Sequence, residues 1–326
     1  MAKMTMVQAI NLALQQEMQN DDRVVIMGED VGRDGGVFRV TDGLIDTFGE
    51  ERVLDTPLAE TGIVGMAVGM AIYGLRPVCE IQFSGFSYQA FHQIENHAAR
   101  MRWRTGGRFE VPMVLRTPYG GGVRALEHHS ESREAYYAHT PGLKMVIPSG
   151  PRNARALMVA AIRDPDPVIF YEAKAIYRAF REDVPEEEEV FPIGKSKIVR
   201  EGDDVTLIAY GAMLRPTLAA ADQMQAEDGI RAEVVDLLSI SPLDDNLFTE
   251  SVRKTGRAVI VHEAPRSFGS GAEIVTRVME KSFYYLEAPI ARVTGYDVVI
   301  PYFSRENHYI PDTRRVVAAA RKVLTS

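Results

Sequence analysis

Carboxylates and imidazoles that could transfer protons occur at three separate places in this sequence. Glu29 and Asp30 follow one apolar run, Glu60 precedes another, and His128 and His129 are adjacent. Carboxylates and histidines are common general acids and bases in enzymes. A metal site is a weaker interpretation, because adjacent histidines do not provide the helical spacing of a ligand pair.

Each of these residues also has a structural interpretation. Glu60 can act as a first-turn acid that stabilises a helix dipole, and the two histidines can belong to a polar surface loop. A hydrolase built on Ser130 and His129 is disfavoured because the sequence contains no G-x-S-x-G motif. The residue types alone leave the proton-transfer and structural interpretations open.

The segment 55–74 is the element that must position Glu60. It predicts a helix, although its glycines at 62, 65 and 69 each cost about 1 kcal/mol relative to alanine. Because residues 63–72 include no charged side chain, we expect the helix to be buried on every side, with another backbone close to its glycines. The helix dipole favours the ionised form of a carboxyl group at the start of the helix, whereas desolvation favours the protonated form. The two effects therefore compete.

Strands alternate with helices in the first half of the chain, which predicts a parallel sheet covered on both faces. The predicted strands are Arg23–Met27, Pro77–Phe83, Val111–Arg116, Leu143–Ile147 and Val168–Glu172. The predicted helices include one opened by a capping box at Thr5–Gln8, one at Tyr88–Arg104 and one at Asn153–Arg163. Glu29 and Asp30 end the first strand, where open parallel sheets bind ligands. Gly120–Gly122 predicts a loop that is either flexible or approached closely by another backbone, because it lacks the context of a phosphate-binding motif.

A second alternating unit follows an acidic segment. Glu186–Glu189, between Pro185 and Pro192, predicts a solvated linker. Beyond it, strands are predicted at 205–210, 232–237 and 258–262, an edge strand at 289–293, and helices at 214–227, 245–254, 272–281 and 312–324. The sequence therefore predicts two α/β domains, residues 1–185 and 204–326, joined by a linker at 186–203.

Composition excludes several classes of function. With 37 basic and 45 acidic residues the net charge is −8, which argues against nucleic acid or an anionic membrane as the main partner. The single cysteine, Cys79, excludes an intrachain disulfide and a cysteine-rich metal site. Because no signal-peptide core or membrane-length apolar run occurs, we expect a cytoplasmic protein.

Several separated blocks resemble the beta subunit of thiamin-diphosphate-dependent 2-oxo acid dehydrogenases, the decarboxylating components of the pyruvate and branched-chain complexes. The blocks are Gly28–Gly32 (GEDVG), Asp55–Gly65 (DTPLAETGIVG), Gly74–Phe83 (GLRPVCEIQF), His129–Ser130, Lys254–Arg257 (KTGR) and His262–Pro265 (HEAP). The resemblance extends from Thr5 to the final helix. It implies a pyrimidine-binding N-terminal domain followed by a transketolase-type C-terminal domain.

The resemblance also implies roles for individual residues. Glu60 would hydrogen-bond the ring nitrogen of the aminopyrimidine, and burial against Leu58, Ile63 and Val64 could raise its pKa toward neutrality. Phe86 matches the aromatic residue that lies against the pyrimidine, while Leu58, Glu29 and Gln89 match flanking contacts. His129 matches a histidine at the mouth of the active site that assists acyl transfer to the lipoyl group, and the role of His128 is open.

The same resemblance implies partner subunits and bound metal ions. The sequence lacks the Gly-Asp-Gly and Asn segment that holds magnesium and the diphosphate, and in this family that half of the site belongs to an alpha subunit. A heterotetramer of two alpha and two beta subunits is therefore implied. So is contact between the C-terminal domain and the subunit-binding domain of the lipoyl-bearing acyltransferase. A potassium ion would be bound by oxygens around five residues: Met113, Ala161, Ile162, Asp164 and Asp166.

The sequence thus predicts a beta subunit that acts with its alpha subunit in oxidative decarboxylation of a 2-oxo acid and acyl transfer to lipoyl-lysine. A self-contained transketolase-like enzyme and a non-catalytic assembly subunit are the alternatives. The substrate is open. Phe86 and residues 104–108 resemble pyruvate-type sequences, whereas residues 127–132 and 287–295 resemble branched-chain types.

Overall fold

The computed structural model describes all 326 residues and contains two mainly parallel sheets. The strands are β1 (Ala2–Met4), β2 (Val24–Gly28), β3 (Val53–Asp55), β4 (Arg76–Glu80), β5 (Val114–Tyr119), β6 (Lys144–Val146), β7 (Val168–Ala173), β8 (Glu182–Val184), β9 (Lys197–Arg200), β10 (Val205–Ala209), β11 (Ala232–Asp236), β12 (Ser239–Ser241), β13 (Ala258–Val261) and β14 (Ala291–Val293). The α-helices are α1 (Met6–Asn20), α2 (Leu44–Phe48), α3 (Glu60–Ile72), α4 (Met101–Arg104), α5 (Glu134–Ala138), α6 (Pro151–Arg163), α7 (Leu214–Asp228), α8 (Asp245–Thr255), α9 (Ser270–Ser282), α10 (Glu306–Tyr309) and α11 (Thr313–Leu324). The predicted alternation of strands and helices is confirmed.

The larger sheet contains seven strands in the order β12-β6-β7-β5-β4-β2-β3. Every neighbouring pair is parallel except β12 with β6. All residues of β2, β5 and β7 are buried, as expected for the nearly continuous apolar runs of strands covered on both faces. Before this sheet, α1 begins with the predicted capping box between Thr5 and Gln8.

The second sheet has the order β14-β13-β10-β11-β9, and only β9 is antiparallel. β9 lies inside the segment 186–203 that the sequence predicts as a linker. In addition, β12 comes from the second half of the chain but pairs with β6 of the first sheet. The two halves are therefore joined by a shared sheet edge as well as by the connecting segment.

The acidic run at 186–189 is anchored to α6. Arg155 of α6 donates hydrogen bonds to the carbonyl oxygens of Pro185 and Glu187 at 2.7 and 2.8 Å. Arg163 of the same helix pairs with Glu188 at 2.8 Å. Glu186, Glu187 and Glu188 are exposed, so the run is in contact with solvent as well as with the basic side chains of α6, and its role as a linker stays a prediction.

Helix α3 forms as predicted and begins at Glu60, but it is not buried on every side. Ile63, Val64, Ala67, Val68 and Ala71 face the core, and the opposite face is exposed at Thr61, Gly62, Met66 and Gly69. The chain covers only one side of α3, with β4 and the segments on either side of Phe91. An uncovered, largely apolar helix face of this kind is typical of an interaction surface.

The predicted helix at 88–104 is replaced by three shorter pieces. A 3₁₀-helix spans Ser84–Ala90, a π-helical segment spans Gln93–Ala98, and α4 follows. The Ser87 hydroxyl donates to the Ser84 carbonyl at 2.5 Å, a local bond that competes with a regular α-helix. The strand predicted at 111–116 is shifted to β5. No helix has both the length and the apolar character needed to cross a membrane.

Candidate active site

Three segments meet at the carboxyl edge of the larger sheet. Glu29 follows β2, residues 83–90 follow β4, and His129 lies in the loop after β5. Since β4 lies between β2 and β5, these strand ends are neighbours. Open parallel sheets bind ligands at this edge. Most of the site residues implied by the resemblance are therefore in one region.

Glu60 is buried without a partner. Its side chain is 6% exposed at the first residue of α3. Its carboxyl takes part in none of the side-chain hydrogen bonds or salt bridges within the chain, unlike its neighbour Thr61. A buried carboxyl group with no partner is unfavourable, so this position is suited to a ligand that supplies a hydrogen bond.

The start of α3 is fastened to the segment that carries the aromatic side chains. Thr61 Oγ1 donates a hydrogen bond to the Gln89 carbonyl oxygen at 2.5 Å. The Gln89 side chain is exposed, and Leu58 is 69% exposed. Leu58 is therefore largely exposed in this chain, whereas Ile63 and Val64 are buried as expected.

Glu29 lies close enough to Glu60 for their charges to interact. Partial burial raises the pKa of Glu29, and the negative charges of Asp30 and Glu60 raise it further. Asp30 itself accepts a hydrogen bond from Gln82 Nε2 at 3.4 Å. A ligand that donates a hydrogen bond or carries positive charge would relieve the repulsion among these carboxylates.

His129 lies within an aromatic cluster. Its ring centroid is 4.4 Å from that of Phe83, 5.1 Å from Phe86 and 4.4 Å from His128. Its Nδ1 atom is buried and has no hydrogen-bond partner. Burial lowers the pKa of His129, and the positive charges of His128 and Lys174 lower it further. The neutral imidazole is thus favoured and can accept a proton.

The residues implied for potassium binding are close together but already have partners. Ile162 accepts a hydrogen bond through its carbonyl oxygen from Arg76 at 2.7 Å. The Asp164 and Asp166 carboxylates pair with Lys144 at 2.7 and 3.3 Å. The Met113 carbonyl bonds to the Val168 amide, and that of Ala161 bonds to the Asp164 amide. A carbonyl oxygen that accepts one hydrogen bond keeps a second lone pair, so these contacts do not decide the matter and potassium binding stays a prediction.

No group of three histidine, cysteine, aspartate or glutamate side chains in this chain could hold a metal ion. The assignment of magnesium to an alpha subunit stays a prediction.

Three buried residues near His129 were missed by the sequence analysis. Lys174, Glu263 and Glu306 all contact the loop at 120–129. Glu263 belongs to the HEAP block, but nothing in that block indicates which loop it contacts. Lys174 and Glu306 lie in segments without a recognisable motif.

Known proteins share this fold and sequence over nearly the whole chain. Residues 2–179 match the family model "Transketolase, pyrimidine binding domain", and residues 194–316 match "Transketolase, C-terminal domain". The chain is 50% identical over 323 residues to the pyruvate dehydrogenase E1 component subunit beta of Acholeplasma laidlawii, covering 99% of this chain and 98% of that protein. The chain belongs to the family of 2-oxo acid dehydrogenase E1 beta subunits.

Further E1 beta relatives and a solved structure agree with this assignment. The protein of the same name from Bacillus subtilis is 49% identical over 324 residues, with 99% of each chain covered. The solved "Split gene transketolase, inactive beta4 tetramer" is 25% identical with a TM-score of 0.82 and covers 99% of each chain. The predicted family and the predicted two-domain transketolase-type α/β fold are both confirmed.

Proposed function

We propose that this E1 beta subunit, with an alpha subunit, uses thiamin diphosphate for the oxidative decarboxylation of pyruvate and the transfer of the acetyl group to lipoyl-lysine of an acyltransferase. The observation that supports the proposal most strongly is the buried, unpartnered carboxyl of Glu60. Pyruvate is favoured over branched-chain substrates because the relatives at 49 and 50% identity are named pyruvate dehydrogenase subunits.

The residues near Glu60 fit the pyrimidine half of the cofactor. Glu60 would hold a proton at the pyrimidine ring nitrogen, Phe86 would lie against the ring, and Glu29, Leu58 and Gln89 would flank it. When bound, thiamin diphosphate supplies the nucleophilic carbon and the electron sink that decarboxylation of a 2-oxo acid requires. The chain contributes a largely buried carboxyl group positioned to exchange a proton with the pyrimidine.

His129 is proposed to serve the acyl-transfer step. Its favoured neutral form can exchange a proton with the lipoyl sulfur, and the surrounding Phe83 and Phe86 rings limit its movement. His128 is half-buried, and its Nδ1 atom lies 3.6 Å from the Glu127 carboxylate. The positive charge of His128 contributes to the lowered pKa of His129, and we assign His128 no separate chemical step.

A partner chain is proposed to complete the site. This chain lacks the magnesium and diphosphate half, which we assign to an alpha subunit in a heterotetramer. The exposed face of α3 would be covered by a neighbouring subunit. The solved beta4 tetramer, described as inactive, is consistent with a beta chain that needs a second polypeptide. We assign contact with the acyltransferase to the C-terminal domain, where Phe268 and Tyr284 are almost fully exposed.

The test is coexpression of this chain with its alpha subunit, followed by a rate comparison between pyruvate and 3-methyl-2-oxobutanoate. We expect the heterotetramer to prefer pyruvate and the beta chain alone to be inactive with added thiamin diphosphate and magnesium. A preference for 3-methyl-2-oxobutanoate would show that the substrate is a branched-chain 2-oxo acid and not pyruvate. Turnover by the chain alone would instead support a self-contained transketolase-like enzyme, and activity that survives loss of both Glu60 and His129 would support an assembly role.

A further inference from the structure

Lys174 is a buried cation whose one direct hydrogen bond goes to the backbone of the proposed catalytic histidine. Its side chain is 3% exposed, and Nζ donates to the His129 carbonyl oxygen at 2.6 Å. The same ammonium lies 5.6 Å from the centroid of the Phe83 ring. Burial lowers the pKa of Lys174, while the negative charges of Glu263 and Glu306 oppose that shift.

The carboxylates of Glu263 and Glu306 hold the other end of the same loop. Glu263 Oε1 accepts a hydrogen bond from the Gly121 amide. The two oxygens of Glu306 accept from the amides of Gly122 and Arg124 at 2.8 and 2.9 Å. Both glutamates are buried and belong to the C-terminal half of the chain. Charge-assisted bonds of this type are stronger than neutral ones and fix the donors more firmly.

The glycines make this contact with the C-terminal half possible. A Cβ atom on Gly121 would lie 2.6 Å from Glu306 Oε1, and one on Gly120 would lie 2.9 Å from Glu263 Oε2. The loop is closed at its base by a hydrogen bond of 3.0 Å from the Gly120 amide to the Glu131 carbonyl. A glycine-rich loop is flexible by itself, so its order has to come from these contacts.

We propose that Lys174, Glu263 and Glu306 form a clamp that positions His129 for acyl transfer to the lipoyl group. The clamp connects the C-terminal half of the chain to the active-site loop, and its three residues act as positioning residues through the backbone of that loop. The inference rests on the proposed role of His129. It adds the residues that determine where the imidazole lies.

The test separates loop order from chemistry. Lys174→Met and, as a second variant that keeps an acceptor in place, Glu306→Gln are made in the heterotetramer. Asp236→Asn is the matched control, because Asp236 is a buried acidic side chain that bonds to Ser149 across the two halves at 2.7 Å without contacting the loop. Three quantities are measured: hydrogen–deuterium exchange at 121–131, pyruvate decarboxylation with an artificial electron acceptor, and acetyl transfer to a free lipoyl domain.

We expect both clamp variants to exchange faster at 121–131 and to transfer acetyl groups roughly 10- to 100-fold more slowly, with the rate of decarboxylation retained. Asp236→Asn should leave both rates unchanged and should not speed exchange at 121–131. Unchanged exchange in both clamp variants, or an equal loss of both rates in clamp and control variants, would overturn the proposal. The proposal would also be overturned if the clamp variants exchange faster but transfer acetyl groups normally, while His129→Ala abolishes transfer. If exchange rises but His129→Ala also transfers normally, the clamp is supported and the role proposed for His129 fails.

Discussion

Gly85 lies against the backbone of His128, so closely that a Cβ atom at position 85 would be 1.9 Å from the His128 carbonyl oxygen. Phe86 follows Gly85 in the sequence, and His129 follows His128. The contact therefore sets the distance between the aromatic ring proposed to contact the pyrimidine and the imidazole proposed to serve acyl transfer. Only glycine permits it, because no side chain fits between the two backbones.

We predict that Gly85→Ala separates these two segments. The added methyl group should destabilise the chain by about 1 to 3 kcal/mol and slow acetyl transfer roughly 10- to 100-fold. Urea unfolding of the heterotetramer and the lipoyl-domain assay measure the two effects. Unchanged stability together with unchanged transfer would show that the close contact is not needed.

The order of strands and helices could be predicted because each element has a local signature. β2 and β7 are apolar runs, and α1 has its capping box. Glu29, Glu60 and His129 also carried a signal, since their residue types occur beside predicted strand or helix ends. The details of the site that escaped prediction depend on contacts between residues far apart in the sequence.

Lys174 and His129 are 45 positions apart, and their hydrogen bond has no sequence pattern. In the same way, β12 leaves the C-terminal half to pair with β6, a partner almost a hundred residues earlier. The prediction that α3 is buried on every side was wrong for another reason. A wholly apolar sequence indicates that a helix will be covered, but it does not indicate whether the same chain or a partner covers it.

Gly69 offers a test of that uncovered face. It lies on the exposed side of α3, and a Cβ atom there would meet nothing within 4 Å. We predict that Gly69→Ala stabilises the isolated chain by up to about 1 kcal/mol through helix propensity. Gly69→Leu should fold equally well but fail to assemble, because the larger side chain blocks close approach of the partner.

Thermal unfolding of the isolated chain and sedimentation of the coexpressed subunits measure these effects. Thr276→Leu, a substitution on the exposed side of α9, is the control for adding a leucine to a helix surface. Normal assembly of Gly69→Leu would remove α3 from the proposed subunit interface.

Glu60→Gln tests whether the buried carboxyl acts as a proton carrier or only stabilises the helix. We predict a loss of decarboxylation of roughly 100-fold or more with normal assembly, because an amide cannot exchange the proton. Glu273→Gln is the matched control, since Glu273 is also a first-turn acid but lies on the surface of α9. It should cost no more than about 1 kcal/mol in stability and leave the rate unchanged. Near-normal decarboxylation by Glu60→Gln would contradict the proton role.

Asp236 gives the chain a specific dependence of stability on pH. Burial raises the pKa of Asp236 to about 7, although the hydrogen bond from Ser149 opposes the shift. Between the ordinary aspartate pKa of 3.8 and about 7, the folded chain therefore keeps a proton that the unfolded chain releases. The contribution of Asp236 to stability is complete below this range and declines as the pH rises through it.

We predict that Asp236→Asn removes this decline. Measured against the unmodified chain, the variant should gain about 2 to 4 kcal/mol of stability between pH 4 and pH 7, since each pKa unit corresponds to about 1.4 kcal/mol. Urea unfolding of the heterotetramer at fixed protein concentration and several pH values measures the difference. Asp183→Asn, an exposed substitution on β8, should leave the pH dependence unchanged. Parallel pH curves for Asp236→Asn and the unmodified chain would mean that Asp236 is ionised in the folded protein throughout this range.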